Sequence, residues 1–238
     1  MRSTTRFIVG AMIVAMAPCA IVRASAIDIL EWTLRTSVRI GNGNDGRVQT
    51  AVSNPLHNNY FASLGNSTAF STIDASWNTA GNFDFLATGE YADQGSPDGF
   101  SRSNGSVYLI PAVDSIITIE GEFNYALGAG DRESEMQVNV GGGPAPGALL
   151  YFFSRVAIPI GGSNPNGSFT VSASVPLLAG EFYIIGYKMS LYSYGGGPTD
   201  ISHGDGYVHF SITPVPEPTT LVFVTMAGWV VTRRRSVA

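Results

Sequence analysis

Ile27-Asp28-Ile29-Leu30-Glu31-Trp32-Thr33-Leu34-Arg35-Thr36-Ser37-Val38-Arg39-Ile40 is the stretch that decides the fold. From Leu30 to Ile40 the even positions are Leu30, Trp32, Leu34, Thr36, Val38 and Ile40, while the odd ones include Glu31, Arg35 and Arg39. A strand sends successive side chains to opposite faces, so a period of two predicts a strand with the even set on a core and the charges in water. Phe83, Phe85 and Ala87 repeat the pattern. Further β-rich runs are 48–52, 68–73, 107–110, 116–125, 136–140, 149–160, 169–175, 182–192 and 207–212. Phe182–Ile185 is apolar on both faces, as a central strand is. Glycine-rich stretches such as Gly41–Gly46, Gly141–Gly143 and Gly195–Gly197 supply turns between the runs, and no segment keeps a helical spacing. About ten short strands with such turns predict an all-β domain, an antiparallel, jelly-roll-like β-sandwich.

The 238 residues include 28 Gly and 13 Pro, with 45% hydrophobic and 13% charged side chains, enough for one domain with a substantial core. Between residues 27 and 215, seventeen acidic side chains stand against seven basic ones, a net charge of −10. That balance excludes nucleic acid as a partner and disfavours close contact with anionic polymers. The single cysteine, Cys19, follows Pro18 rather than the small residue that precedes a lipid-accepting cysteine.

Both ends read as addresses. Arg2 and Arg6 precede an apolar run of 11 residues, Phe7–Ala17, and Ala24-Ser25-Ala26 follows. Basic start, short apolar core and small residues at the cut are the three parts of a secretory signal helix, cleaved by signal peptidase after Ala26. The mature chain then holds no cysteine, which excludes disulfides, thiolate catalysis and Cys-ligated metals. At the other end, Pro214-Val215-Pro216-Glu217-Pro218 leads into an uncharged apolar run, Leu221–Val231, and then Arg233-Arg234-Arg235. The arginines place that end in the cytoplasm by the positive-inside rule. Residues 219–232 make a helix of about 21 Å, short against a bilayer core of about 30 Å and suited to a temporary anchor.

This order of parts resembles the PEP-CTERM sorting signal of exported bacterial proteins. The resemblance covers residues 214–238 and implies that Pro216, Glu217 and Pro218 are the motif recognised by a membrane-embedded exosortase. It further implies that residues 221–231 are a transient transmembrane helix and that Arg233, Arg234 and Arg235 are the cytoplasmic stop. Such proteins belong to the surface or extracellular matrix of bacteria that make exopolysaccharide. The expected organisation is a signal peptide (1–26), a β-sandwich (27–213) and a sorting signal (214–238). The precursor is expected to be membrane-anchored, and the product to lie in the cell envelope or outside the cell.

The middle of the chain carries no strong catalytic motif. Gly41-Asn42-Gly43-Asn44-Asp45-Gly46 matches a dinucleotide fingerprint, but a strand follows where a helix is required, so the stretch reads as a hairpin turn. The same loop fails as an EF-hand, because the twelfth position is Ser53 rather than Glu. Glu120 and Glu122 share one face of a strand, as a glycosidase acid would if another stood across a cleft. Asp131–Glu135 reads as an exposed charged hairpin. His203, Asp205 and His209 are close in sequence but fit no metal motif, and His57 has no evident partner. Asp93, Asp98, Asp200 and Asp205 read as loop acids able to coordinate Ca²⁺; no other cofactor is expected. Trp77, Tyr192 and Tyr194 are the aromatics available to stack on sugar rings, whereas Trp32 falls in phase with the core. The expectation is a non-enzymatic, structural or adhesive protein. A secreted carbohydrate-binding module is the alternative and a secreted glycan hydrolase a further one.

Overall fold

In the computed structural model, the described residues are 27–41, 43–51, 56–64, 66–78, 81–92, 98–128, 132–145, 147–158, 166–193 and 201–216, with the backbone alone for 43–51. They form twelve strands and no helix: β1 (Ile27–Ile40), β2 (Gly43–Ala51), β3 (Leu56–Leu64), β4 (Ser67–Trp77), β5 (Asn82–Ala92), β6 (Gly99–Pro111), β7 (Ser115–Ala126), β8 (Arg132–Gly142), β9 (Leu149–Ala157), β10 (Asn166–Leu177), β11 (Tyr183–Ser193) and β12 (Ile201–Pro214). Two six-stranded sheets result, ordered β2-β1-β6-β11-β8-β9 and β10-β7-β12-β5-β4-β3, and every pairing is antiparallel. The all-β sandwich expected from the alternation is therefore present. The expected signal peptide (1–26) and the expected transmembrane helix (221–231) lie outside the described residues.

β1 departs from its expected phase at one point. Its pairing with β6 shifts between Ile29 and Glu31, so Leu30 is a bulge residue and its side chain is exposed. Ile27 and Ile29 turn inward before the bulge, and Trp32, Leu34, Thr36, Val38 and Ile40 after it. A strict period of two assigns Leu30 to the core because it has no place for an inserted residue. The Gly41–Gly46 turn is also shorter than its composition implies. Ile40 already pairs with Gly43, and Gly41 supplies a positive φ of 64°. Residues 43–46 belong to β2.

Aromatic rings join the sheets. Trp32 of β1 stacks on Trp77 of β4 at 4.4 Å between centroids, and Phe83 and Phe85 of β5 meet its edge at 5.4 and 5.8 Å. Phe85 also stacks on Tyr187 of β11, and Phe83 on Phe210 of β12. Gly105 of β6 makes room for this: a Cβ there would lie 2.3 Å from the Phe85 ring. Strand interiors disfavour glycine, and here the absent side chain is what lets the ring settle against the backbone.

The segment 131–135 is not an exposed hairpin in the region described. Residues 132–135 open β8, with Arg132 pointing between the sheets and donating from Nη1 to Ser202 Oγ at 3.1 Å. Glu135 points outward but is buried beside Lys188, whose Nζ donates to it at 2.6 Å. The register explains both, since Arg132 lies in phase with Met136 and Val138.

Two outcomes follow from the core. Gly105→Ala overpacks the Phe85 site and is expected to cost about 1–3 kcal/mol in denaturant unfolding, with the slope unchanged. The buried Tyr187 hydroxyl has no hydrogen-bond partner among the described residues, and burial, then the nearby Asp205 charge, raises its pKa. The unfolded chain releases this proton from about pH 10 while the folded protein keeps it, so the associated stability is full below that pH and is lost above it. Tyr187→Phe should therefore be as stable as the parent at neutral pH, and its Tm should fall less steeply between roughly pH 10 and 11.5.

Candidate functional site

The outer face of the second sheet gathers the polar chemistry of the domain. All seven basic residues between 27 and 215 lie in strands of the first sheet: Arg35 and Arg39 in β1, Arg47 in β2, Arg102 in β6, Arg132 in β8, Arg155 in β9 and Lys188 in β11. The six strands of the second sheet hold no Lys or Arg but all three histidines of the chain. Outward positions of that sheet carry six carboxylates: Asp74, Asp84, Glu90, Glu120, Glu122 and Asp205.

Strand register arranges these groups in rows. One row across the sheet reads His57, Asp74, Leu86, Tyr207, Glu122, Thr170, and the next reads Ser76, Asp84, His209, Glu120, Ser172. A third reads Asn59, Thr72, Thr88, Asp205, Asn124, Ser168. Each histidine meets an aspartate. His209 Nδ1 lies 2.6 Å from Asp84 Oδ1, His203 Nε2 lies 3.5 Å from Asp205 Oδ1, and His57 Nδ1 contacts Asp74 Oδ1. Asn59 Nδ2 stands 3.0 Å from His57 Nε2, so a neutral ring protonated at Nδ1 accounts for both contacts of His57. The exposed Tyr207 and Leu86 form the apolar centre of a shallow groove of about 420 Å³, walled by His57, Asp74, Ser76 and Asp84. Flat, acceptor-rich surface with an exposed ring at its centre suits neutral hydroxyl-bearing ligands: carboxylates accept from hydroxyls, and the ring covers a C–H face.

The sequence candidates are distributed differently. Trp77 points inward and is packed against Trp32, so one face of its indole is already covered. Tyr192 lies on the opposite sheet, where its hydroxyl accepts from Arg102 Nη2 at 2.5 Å and its ring neighbours Phe100. These two rings therefore do not form one sugar platform; their distance apart follows from strand pairing across the sandwich, which sequence order does not reveal. Tyr194 lies outside the described residues. Glu120 and Glu122 project from the outer face of β7 and, among the described residues, do not converge on another acid across a cleft.

His203 and His209 are six residues apart on one strand, roughly 20 Å, too far to share a metal. No group of three or more His, Cys, Asp or Glu able to hold a metal occurs among the described residues. Of the loop acids, Asp205 sits within β12 rather than in a loop, and the Asp98 carbonyl accepts from the Gly41 amide at 3.0 Å. Asp93 and Asp200 lie outside the described residues, as do Ala24, Ala26, Glu217, Pro218, Arg233, Arg234 and Arg235. Pro216 is described: it is exposed and follows the end of β12.

The chain leaves and enters the fold at one end. Gly81 lies against both Ile27 and Ile212, a Cβ there falling 2.6 Å from Ile27 Cδ1 and 3.3 Å from the Ile212 carbonyl oxygen. The start of β1 and the end of β12 are thus neighbours.

No protein-family model and no curated protein matches this chain. Among solved structures it is similar to TmCBM61, a carbohydrate-binding module in complex with beta-1,4-galactotriose, at 12% identity over 60% of this chain and 71% of that one, with a TM-score of 0.24. It is also similar to the Arthrobacter globiformis T6 isomalto-dextranase complexed with panose, at 14% identity over 77% of this chain but 33% of that enzyme, with a TM-score of 0.23. A third similarity, at 9% identity and a TM-score of 0.21, is to infectious bursal disease virus, Gt strain. Values this low carry no argument about function.

Proposed function

We propose that this is an exported bacterial surface or extracellular-matrix protein, cut after Ala26 by signal peptidase and handled at Pro216-Glu217-Pro218 by an exosortase. The product is a non-enzymatic, jelly-roll-like sandwich with a structural or adhesive role. The observation that supports this reading is where the described strands begin and end. β1 starts at Ile27, whose side chain is buried in the core, and β12 finishes at Pro214. Cuts after residue 26 and beside residue 216 therefore spare every strand among the described residues. The motif follows the end of a central strand of the second sheet at a point where Val215 and Pro216 are exposed. The apolar run beyond it serves as a transient membrane helix, with Arg233, Arg234 and Arg235 on the cytoplasmic side.

A second reading, carbohydrate binding, is favoured by the outer face of the second sheet. Its carboxylates, amides and Tyr207, with no Lys or Arg, suit a neutral exopolysaccharide and disfavour a uronate-rich one. This face replaces Trp77 and Tyr192 as the contact surface.

In the native host, intact mass and fractionation should show the parent without either end, at the surface or in the medium. Glu217→Ala should instead keep residues 27–238 and stay in the membrane; equal processing of both forms would overturn the sorting reading. For the second reading, Tyr207→Ala is expected to weaken binding of the processed protein to a neutral polysaccharide at least about tenfold, on the order of 1.4 kcal/mol. Gel-shift electrophoresis against the same polymer measures it, and unchanged retardation would remove this face as the contact.

A further inference from the structure

At the end of the sandwich from which both termini leave, three of the loops are bonded to one another or to the exit segment and present apolar side chains. The Gly180 amide donates to the Pro111 carbonyl at 2.7 Å, the Ala179 amide to Asp114 Oδ1 at 2.8 Å, and the Val215 amide to the Asp114 carbonyl at 2.8 Å. The Gly143 amide donates to the Phe182 carbonyl at 2.9 Å. Loop segments 111–114, 142–145, 147–149 and 178–182 and the exit segment at 215 thus form one surface. It presents Val113, Leu149, Leu178, Phe182 and Val215, each between 39% and 60% exposed. Beside it an apolar cleft of about 530 Å³ opens between Leu149, Phe182 and Ile184. These segments contain no Lys, Arg or His, and their only charges are Asp114 and Glu181.

From these observations we infer that this end is a docking surface for a lipid bilayer, engaged while the precursor is anchored. The inference rests on the reading of residues 221–231 as a transient transmembrane helix. Six residues, Val215 to Thr220, separate the last strand residue from that run. Fully extended, they hold Pro214 within roughly 25 Å of the apolar run. β12 alone is 14 residues long, roughly 45 Å, so a sandwich on so short a tether turns its exit end to the membrane. Exposed Val, Leu and Phe side chains gain by entering the interface, and the lack of any basic residue points to a neutral lipid surface rather than an anionic one. Tethered by either terminus, the domain presents the same end.

The test uses the full chain with Cys19→Ser, so that an introduced cysteine is unique. Single fluorophores are attached through Val113→Cys, Phe182→Cys and, at the opposite end, Leu64→Cys. Each protein is reconstituted into phosphatidylcholine vesicles with and without brominated acyl chains. Flotation reads anchoring and quenching reads docking. Brominated lipid is expected to quench the probes at 113 and 182 at least twofold and the probe at 64 little. Adding Val113→Asp with Leu178→Asp should bring the probe at 182 down to the level of that at 64 while flotation persists. Chains that float with all three probes equally unquenched would overturn docking and leave the anchor reading standing. Probes blue-shifted at 113 and 182 but insensitive to bromine would show the end covered by a second copy, which also overturns it. Chains that fail to float would remove the anchor reading and the docking inference together.

Discussion

The stack of Trp32 on Trp77 ties the first sheet to the second, and the arrangement of the interior depends on it. One ring comes from the strand nearest the amino end of the domain and the other from a strand near the edge of the opposite sheet. Around them Phe83, Phe85, Phe210 and Tyr187 stack or meet edge to face, so the two layers hold each other at a separation set by aromatic planes. Gly105 is part of the same constraint, because the Phe85 ring occupies the space that a side chain on β6 would fill. The outward rows follow as a consequence: once the inward set is fixed, the alternate residues of each strand are committed to solvent in a fixed register.

That register produces a division of charge no single strand displays. Permanent cations are confined to one layer, and the other carries carboxylates with histidine as its only basic group. Within the first sheet Arg102 lies over Phe100 and Tyr192, and Lys188 is held by Glu135. Arg102 and Lys188 thus have structural partners, while the aspartates of the second sheet pair with histidines on a surface open to ligands. The two faces therefore differ in kind as well as in sign.

Much of this was legible in the sequence, and the exceptions have physical causes. The alternation at Trp32–Ile40 and Phe83–Ala87 identifies strands because burial on one face imposes it. Leu30 is misassigned because a bulge leaves no mark on composition. β3, Leu56–Leu64, escapes detection because its inward residues include Asn58, which is buried and donates to the Leu34 carbonyl at 3.1 Å. The candidate face was hidden for a different reason. Its pairs are His57 with Asp74 and His209 with Asp84, the latter 125 residues apart, and pairing across strands is decided by topology. The only hint was compositional: long stretches without Lys or Arg that nevertheless contain His and Asp.

The confinement of cations to one layer also governs how the domain meets reagents and enzymes. Lys188 is its only lysine, so chemistry directed at side-chain amines attaches through the first sheet and leaves the histidine-bearing face unobstructed. A protease that cleaves after basic residues finds no target anywhere in the second layer, and each of its seven targets in the first lies within a hydrogen-bonded strand. Cleavage at such sites requires the sheet to open. One half of the fold thus carries no recognition site for such enzymes, and the other half protects its sites through its own stability.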